Sequence, residues 1–158
     1  PRTASVHSAL RTINRLSETG IPVNVNVAPI IPGINDEEIF DVVKAVADAG
    51  ALSAGYIVVR LNGHNDLLFE DWVNKNFPER ANKVLNQIKS MHGGKLNDSN
   101  YGRRMRGEGK FAEIIRNQFV LAKRKFMEQR KMQPLNYTLF SDRRKFILES
   151  AEPQLKLF

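Results

Sequence analysis

Residues 24–36 read NVNVAPIIPGIND, and their spacing decides what kind of fold the chain can build. Val25 and Val27 alternate with Asn24 and Asn26, a period of two that suits a strand with one face on a core. Two prolines and Gly33 then turn the chain, and Asn35 with Glu38 has the spacing of a capping box that opens a helix. A strand, a tight turn and a charged helix start form either a plain βα connection or one wall of a ligand site. The spacing alone leaves both open.

Working outward, residues 3–19 place Val6, Ala9, Leu10, Ile13 and Leu16 at helical spacing, with Gly20 where a helix C′ residue belongs. The strand runs from Pro22 to Ile30. The helix after the turn carries Ile39, Phe40, Val42, Val43 and Val46 and ends at Gly50. GYIVVRL at 55–61 reads as a second strand. Helix, strand, helix and strand with short connections predict an α/β fold with parallel strands. Beyond Asn62 and Gly63 the pattern predicts helices at Asp66–Phe77 and at Pro78–His92, the latter with Pro78 at N1 and Gly93-Gly94 behind it. Residues 94–109, GKLNDSNYGRRMRGEG, form a long loop, and loops of this length in compact domains are usually functional or disordered. A helix from Lys110 to about Met132 follows, presenting Phe111, Ile114, Ile115, Phe119, Ala122 and Phe126 on one face. The division this predicts is βα units over 1–62, a helical extension with its basic loop over 63–132, and a polar tail over 133–158.

With 158 residues and 42% hydrophobic content the chain can bury one core and a second small lobe. It holds no 18-residue apolar run, so no membrane span is expected. Zero cysteine excludes disulfides and thiolate-held metal within these residues, and predicts a cytoplasmic setting. The Pro-Arg-Thr start suggests a piece of a longer protein. Charge is split unevenly. Residues 1–78 carry 6 Lys+Arg against 9 Asp+Glu, whereas residues 79–158 carry 18 against 8. A basic second half predicts contact with a polyanion, against the plainer alternative of a solvated helical surface.

Ligands of parallel sheets gather at the carboxyl ends of the strands. Here those ends are Ala28–Gly33 and Arg60–Gly63, and Ile30 with Ile31 would offer an apolar surface for a flat ligand such as adenine. Arg60, on the face of Tyr56 and Val58, is either a clamp for carboxylate or phosphate or a partner of Asp66. His64 is either a proton carrier or an exposed loop residue. In the basic loop, Arg103, Arg104, Arg106 and Lys110 are separated by glycines that let backbone approach phosphates, and Tyr101 can stack on a base. Lys123, Arg124, Lys125, Arg130 and Lys131 extend the positive field. Alternatively Arg103 and Arg106 tie the loop to Glu70, Asp71 or Glu108.

IPVNVNVAPIIPGINDEE followed by AGALSAGYIVVRL resembles the fifth and sixth βα units of radical S-adenosylmethionine (SAM) enzymes. LFEDWV, FPERANKVL, GGKLNDSNYGRRMRGEGKFAEII and the closing QLKLF are similar to the branch related to spore photoproduct lyase, a DNA-repair enzyme. The resemblance implies the C-terminal part of a partial (β/α)6 barrel followed by a helical extension. It also implies that the parent cleaves SAM to a 5′-deoxyadenosyl radical, with damaged DNA as a candidate substrate. The family's Gly-x-Ile-x-Gly-x-x-Glu pattern falls on Pro29, Ile31, Gly33 and Asp36, of which Ile31 and Gly33 match. Ile31 would then pack on adenine, with backbone near Val59, Arg60 and Leu61 touching it too. The family holds a [4Fe–4S] cluster on a Cys-x3-Cys-x2-Cys loop, which lies upstream of this region and is absent here. The chain alone is therefore expected to bind no cofactor and to be inert. A non-catalytic module that binds nucleic acid and a sliding clamp is the alternative.

Gln154, Leu155, Leu157 and Phe158 match the bacterial sliding-clamp-binding peptide, from which Lys156 departs. Such a tail either buries Leu and Phe in a partner groove or docks on its own protein. A sheet of only two strands also leaves an open edge through which copies can associate.

Overall fold

In the computed structural model, residues 4–134 and 136–138 are described. The chain is mixed α/β: α1 (Val6–Glu18), β1 (Asn24–Ile30), a 3-10 turn at Asp36–Glu38, α2 (Ile39–Asp48), β2 (Ser53–Val58), α3 (Asn65–Asn76), α4 (Ala81–Met91), the one-turn α5 (Arg103–Arg106) and α6 (Gly109–Met127). The Ser5 hydroxyl accepts from Ser8 N–H (3.2 Å) to start α1, and Gly20, at φ +77°, ends it. Leu10 and Ile13 pack on the core, while Val6 stays exposed.

β1 and β2 pair in parallel with Val25 opposite Ala54 and Val27 opposite Tyr56, and the register shifts between Val27 and Ile30. Among the described residues, helices pack on one face of the pair. Val25, Val27, Ala54, Tyr56 and Val58 turn toward Val43 of α2 and Phe119 of α6, whereas Asn24 and Asn26 remain exposed. The Tyr56 and Phe119 rings lie 4.8 Å apart. This core crosses residue 62, since Ile115 and Phe119 of the helical extension share it with Ile39 and Val43. A second cluster joins Val59 and Leu61 to Val73 of α3 and to Val84, Leu85 and Ile88 of α4.

Several local expectations shift. β2 ends at Val58 rather than Leu61, and α4 begins at Ala81, so Pro78 lies in the turn before it. α6 ends at Met127, and Ile114 is 41% exposed while Ala112 takes its place inside. The loop at 94–109 contains α5. The capping box does not form. Asn35 instead spends its amide backwards, with Oδ1 accepting from Ile31 N–H (2.7 Å) and Nδ2 donating to Pro29 O (3.1 Å). The residues from 139 onward, including the tail motif, lie outside the described residues.

Candidate functional site

The turn after β1 is built against α4. Gly33 has φ +73°, the left-handed region that favours glycine, and a Cβ there would meet the end of the Gln87 side chain at 3.0 Å and Val84 at 3.4 Å. Asp36 Oδ1 accepts from Gly33 N–H (2.8 Å), and Arg80 donates to Gly33 O (3.3 Å). Pro29, Ile31 and Gly33 thus sit at the strand end as the spacing suggests, but their polar groups are largely paired within the turn. The apolar surface expected there is smaller than the sequence implies. Ile30 is buried in the sheet core, and Ile31 is half-buried against the second cluster, which includes Val59 and Leu61. The reason is α4, which closes over the turn.

The end of β2 meets the same place. Val59 N–H donates to Ile30 O (2.8 Å), so the two strand ends stay joined beyond the ladder. Val59 O is bound by His92 Nε2 (2.9 Å), and the other ring nitrogen, Nδ1, lies 3.5 Å from Asp98 Oδ2. Asp98 is buried and grips Arg103, with Nε 2.5 Å from Oδ2, while Asn100 N–H donates to Oδ1 (2.9 Å). The Arg103 guanidinium, joined by Asn100 N–H and His92, holds the Asp98 carboxyl well below the usual carboxylate range. Asp98, with Glu108 at 2.8 Å, raises Arg103 in turn. His92 and Asp98 carry no sequence pattern of their own. The only signal was an acid five residues ahead of an arginine in a glycine-rich loop.

This network sorts the loop's arginines. Arg103 is turned inward onto Asp98 and Glu108, as the tying alternative anticipated through Glu108, and its charge is compensated. Arg106 lies over the Tyr56 ring at 4.2 Å and Arg104 over the Tyr101 ring at 5.8 Å, and Tyr101 itself is 94% exposed. Arg60 bonds Asn62 Oδ1 (3.1 Å) and reaches Met105 Sδ (3.7 Å), between Arg104 and Arg106. Asp66 instead accepts from Leu67 N–H. The face shared by Tyr56 and Val58 is the helix-covered one, so Arg60 gains its position from the end of β2 rather than from strand alternation. Lys110 is exposed at the start of α6, and His64 is an exposed loop residue before α3. Arg130 leaves the positive field, because its guanidinium bonds Ala47 O and Ala51 O at the end of α2.

Arg60 at Met105 and Arg106 at Tyr56 therefore join the basic loop to β2 and the residues just after it, with the exposed Tyr101 ring held against Arg104. This arrangement can bind phosphates and stack a base. Among the described residues no cluster of His, Cys, Asp or Glu could hold a metal ion, and no helix is long and apolar enough to cross a membrane. No family model, curated protein or solved structure matches the chain.

Proposed function

We propose that this chain is the C-terminal part of a radical SAM enzyme with a (β/α)6-type partial barrel, and that it presents nucleic acid to the carboxyl ends of its strands. One observation supports the nucleic-acid part of the reading: Arg106 over Tyr56 and Arg60 against Met105 dock the basic loop on β2 and the residues just after it. A [4Fe–4S] cluster does not fit the residues present, since the chain has no cysteine. Adenine fits only as an apolar contact on Ile31, because Gly33 N–H and Val59 O already have partners. The chain alone is then inert towards SAM. Its own contribution is to bind and orient a phosphate-bearing substrate.

The self-satisfied turn favours one second reading, a non-catalytic nucleic-acid and clamp-binding module. The gene upstream of Pro1 separates the two, and a parent without Cys-x3-Cys-x2-Cys removes the radical SAM reading. Fluorescence anisotropy with a single-stranded oligonucleotide tests the nucleic-acid surface common to both. Arg104→Ala with Arg106→Ala should weaken binding and flatten its logarithmic salt slope by about 0.7 for each phosphate no longer neutralised. Unchanged affinity and slope would remove that surface from consideration.

A further inference from the structure

A groove of about 640 Å³ runs between β2 and α6, away from the strand ends. Ala54, Gly55 and Tyr56 all line it. Ala54 and Tyr56 share one strand face, Gly55 has no side chain to close off the backbone between them, and no residue of β1 lines the groove, so it lies beside the edge of β2 that faces away from β1. Among the described residues the sheet has two strands, which leaves this edge of β2 unpaired. Every second residue of an edge strand turns its N–H and C=O outward, a template for another strand. Ser53–Val58, SAGYIV, carries none of the charges or prolines that commonly protect such edges.

The opposite wall supplies the chemistry. Arg116, Val120 and Lys123 recur at helical spacing on α6 and all face the groove, and Arg106 closes one end above Tyr56. Glu108 also lines the groove but is paired with Arg103, so Glu113 is the carboxylate left against three cations. Arg116 and Val120 are exposed, and Lys123 is half-buried with Nζ 3.5 Å from Ser53 Oγ.

We infer that this groove binds an extended acidic segment of a partner protein, added to β2 as a third strand. Main-chain bonds to the edge supply affinity, and alternate side chains facing α6 supply selectivity. Carboxylates on that face meet Arg116 and Lys123, and an apolar residue between them meets Val120. The groove shares Arg106 with the nucleic-acid reading, so the test reverses Arg116 and Lys123, which that reading does not use.

The probe is a fluorescein-labelled, acetylated Glu-Val-Glu-Val-Glu-Val-Glu amide, titrated into the full chain. Saturable binding is expected, as is failure of a peptide with Lys in place of Glu. N-methylation of alternate amides keeps the charge but removes edge donors, and should weaken binding about tenfold or more. Arg116→Glu with Lys123→Glu, at exposed or half-buried sites, should weaken it by a similar factor with circular dichroism unchanged. Absent binding, or equal binding of the N-methylated peptide, overturns the inference. So does displacement by an oligonucleotide that the double variant no longer binds, which would give the groove to nucleic acid. A self-associating chain that sediments as a monomer once Arg116 and Lys123 are reversed would give it to a second copy instead.

Discussion

His92 bridges the end of β2 and the basic loop, with Nε2 2.9 Å from Val59 O and Nδ1 3.5 Å from the buried Asp98 carboxylate. Through Asp98 the same contact reaches Arg103, so the geometry of the strand end and the path of residues 94–109 are set together.

Asp98→Asn should lower the urea midpoint of unfolding at neutral pH, since it weakens the pairing with Arg103 and alters the contact with His92. The pH dependence has a definite sign. The folded-state value of Asp98 is depressed, so its contribution is fully present above the ordinary carboxylate value near 4 and fades as pH falls below it. Unfolding midpoints measured from pH 7 down to pH 2 should fall less steeply in Asp98→Asn than in the parent. Parallel curves would show that Asp98 is not a source of acid sensitivity.

Arginine substitutions in the loop should separate into two classes. Arg103→Ala leaves Asp98 buried without its cation and should lower thermal stability measurably. Arg104→Ala removes a half-buried side chain whose contact is with the exposed Tyr101 ring, and should change stability by less than about 0.5 kcal/mol while weakening oligonucleotide binding. Equal stability losses at the two positions would contradict the inward and outward assignment.

Gly107 tests how closely the loop is packed. Its φ is +68°, and a Cβ would approach Met91 Cβ to 3.1 Å and Ala112 Cβ to 3.3 Å. Gly107→Ala should therefore cost about 2 kcal/mol, combining left-handed backbone strain with crowding between α4 and α6. Chemical denaturation gives the value directly, and a neutral result would mean that the loop can shift away from Met91.

Deleting residues 154–158 tests the tail motif. If QLKLF binds a partner, the deletion removes capture by an immobilised bacterial sliding clamp and leaves the melting temperature unchanged. A lower melting temperature with no clamp binding in the parent would mean that Leu155, Leu157 and Phe158 serve the chain's own stability.

The local elements were legible because their signals are local. Alternation at Val23–Val27 marked β1, Gly20 and Gly50 marked helix ends at positive φ, and short connections required parallel pairing. The capping box failed for a reason that spacing cannot express. Asn35 had two sets of backbone partners within reach, and the turn at Pro29–Ile31 took it. Ile114 missed the core because the orientation of α6 is set by its packing on α2, which no residue of α6 encodes alone.

By itself, the sequence determined the order of helices and strands, the parallel sense of the pair, the basic second half and the absence of thiolate ligands. Tertiary structure decided what each charged or apolar residue at the strand ends could do. Arg103 and Arg106 look equivalent in RRMRGEG, yet one neutralises a buried carboxylate and the other lies over an aromatic ring. Ile30 and Ile31 are adjacent and identical, yet only one remains partly open once α4 closes over the turn. Periodicity and charge are properties of neighbours along the chain, whereas burial, and a contact such as Arg106 over Tyr56, are settled by residues tens of positions away.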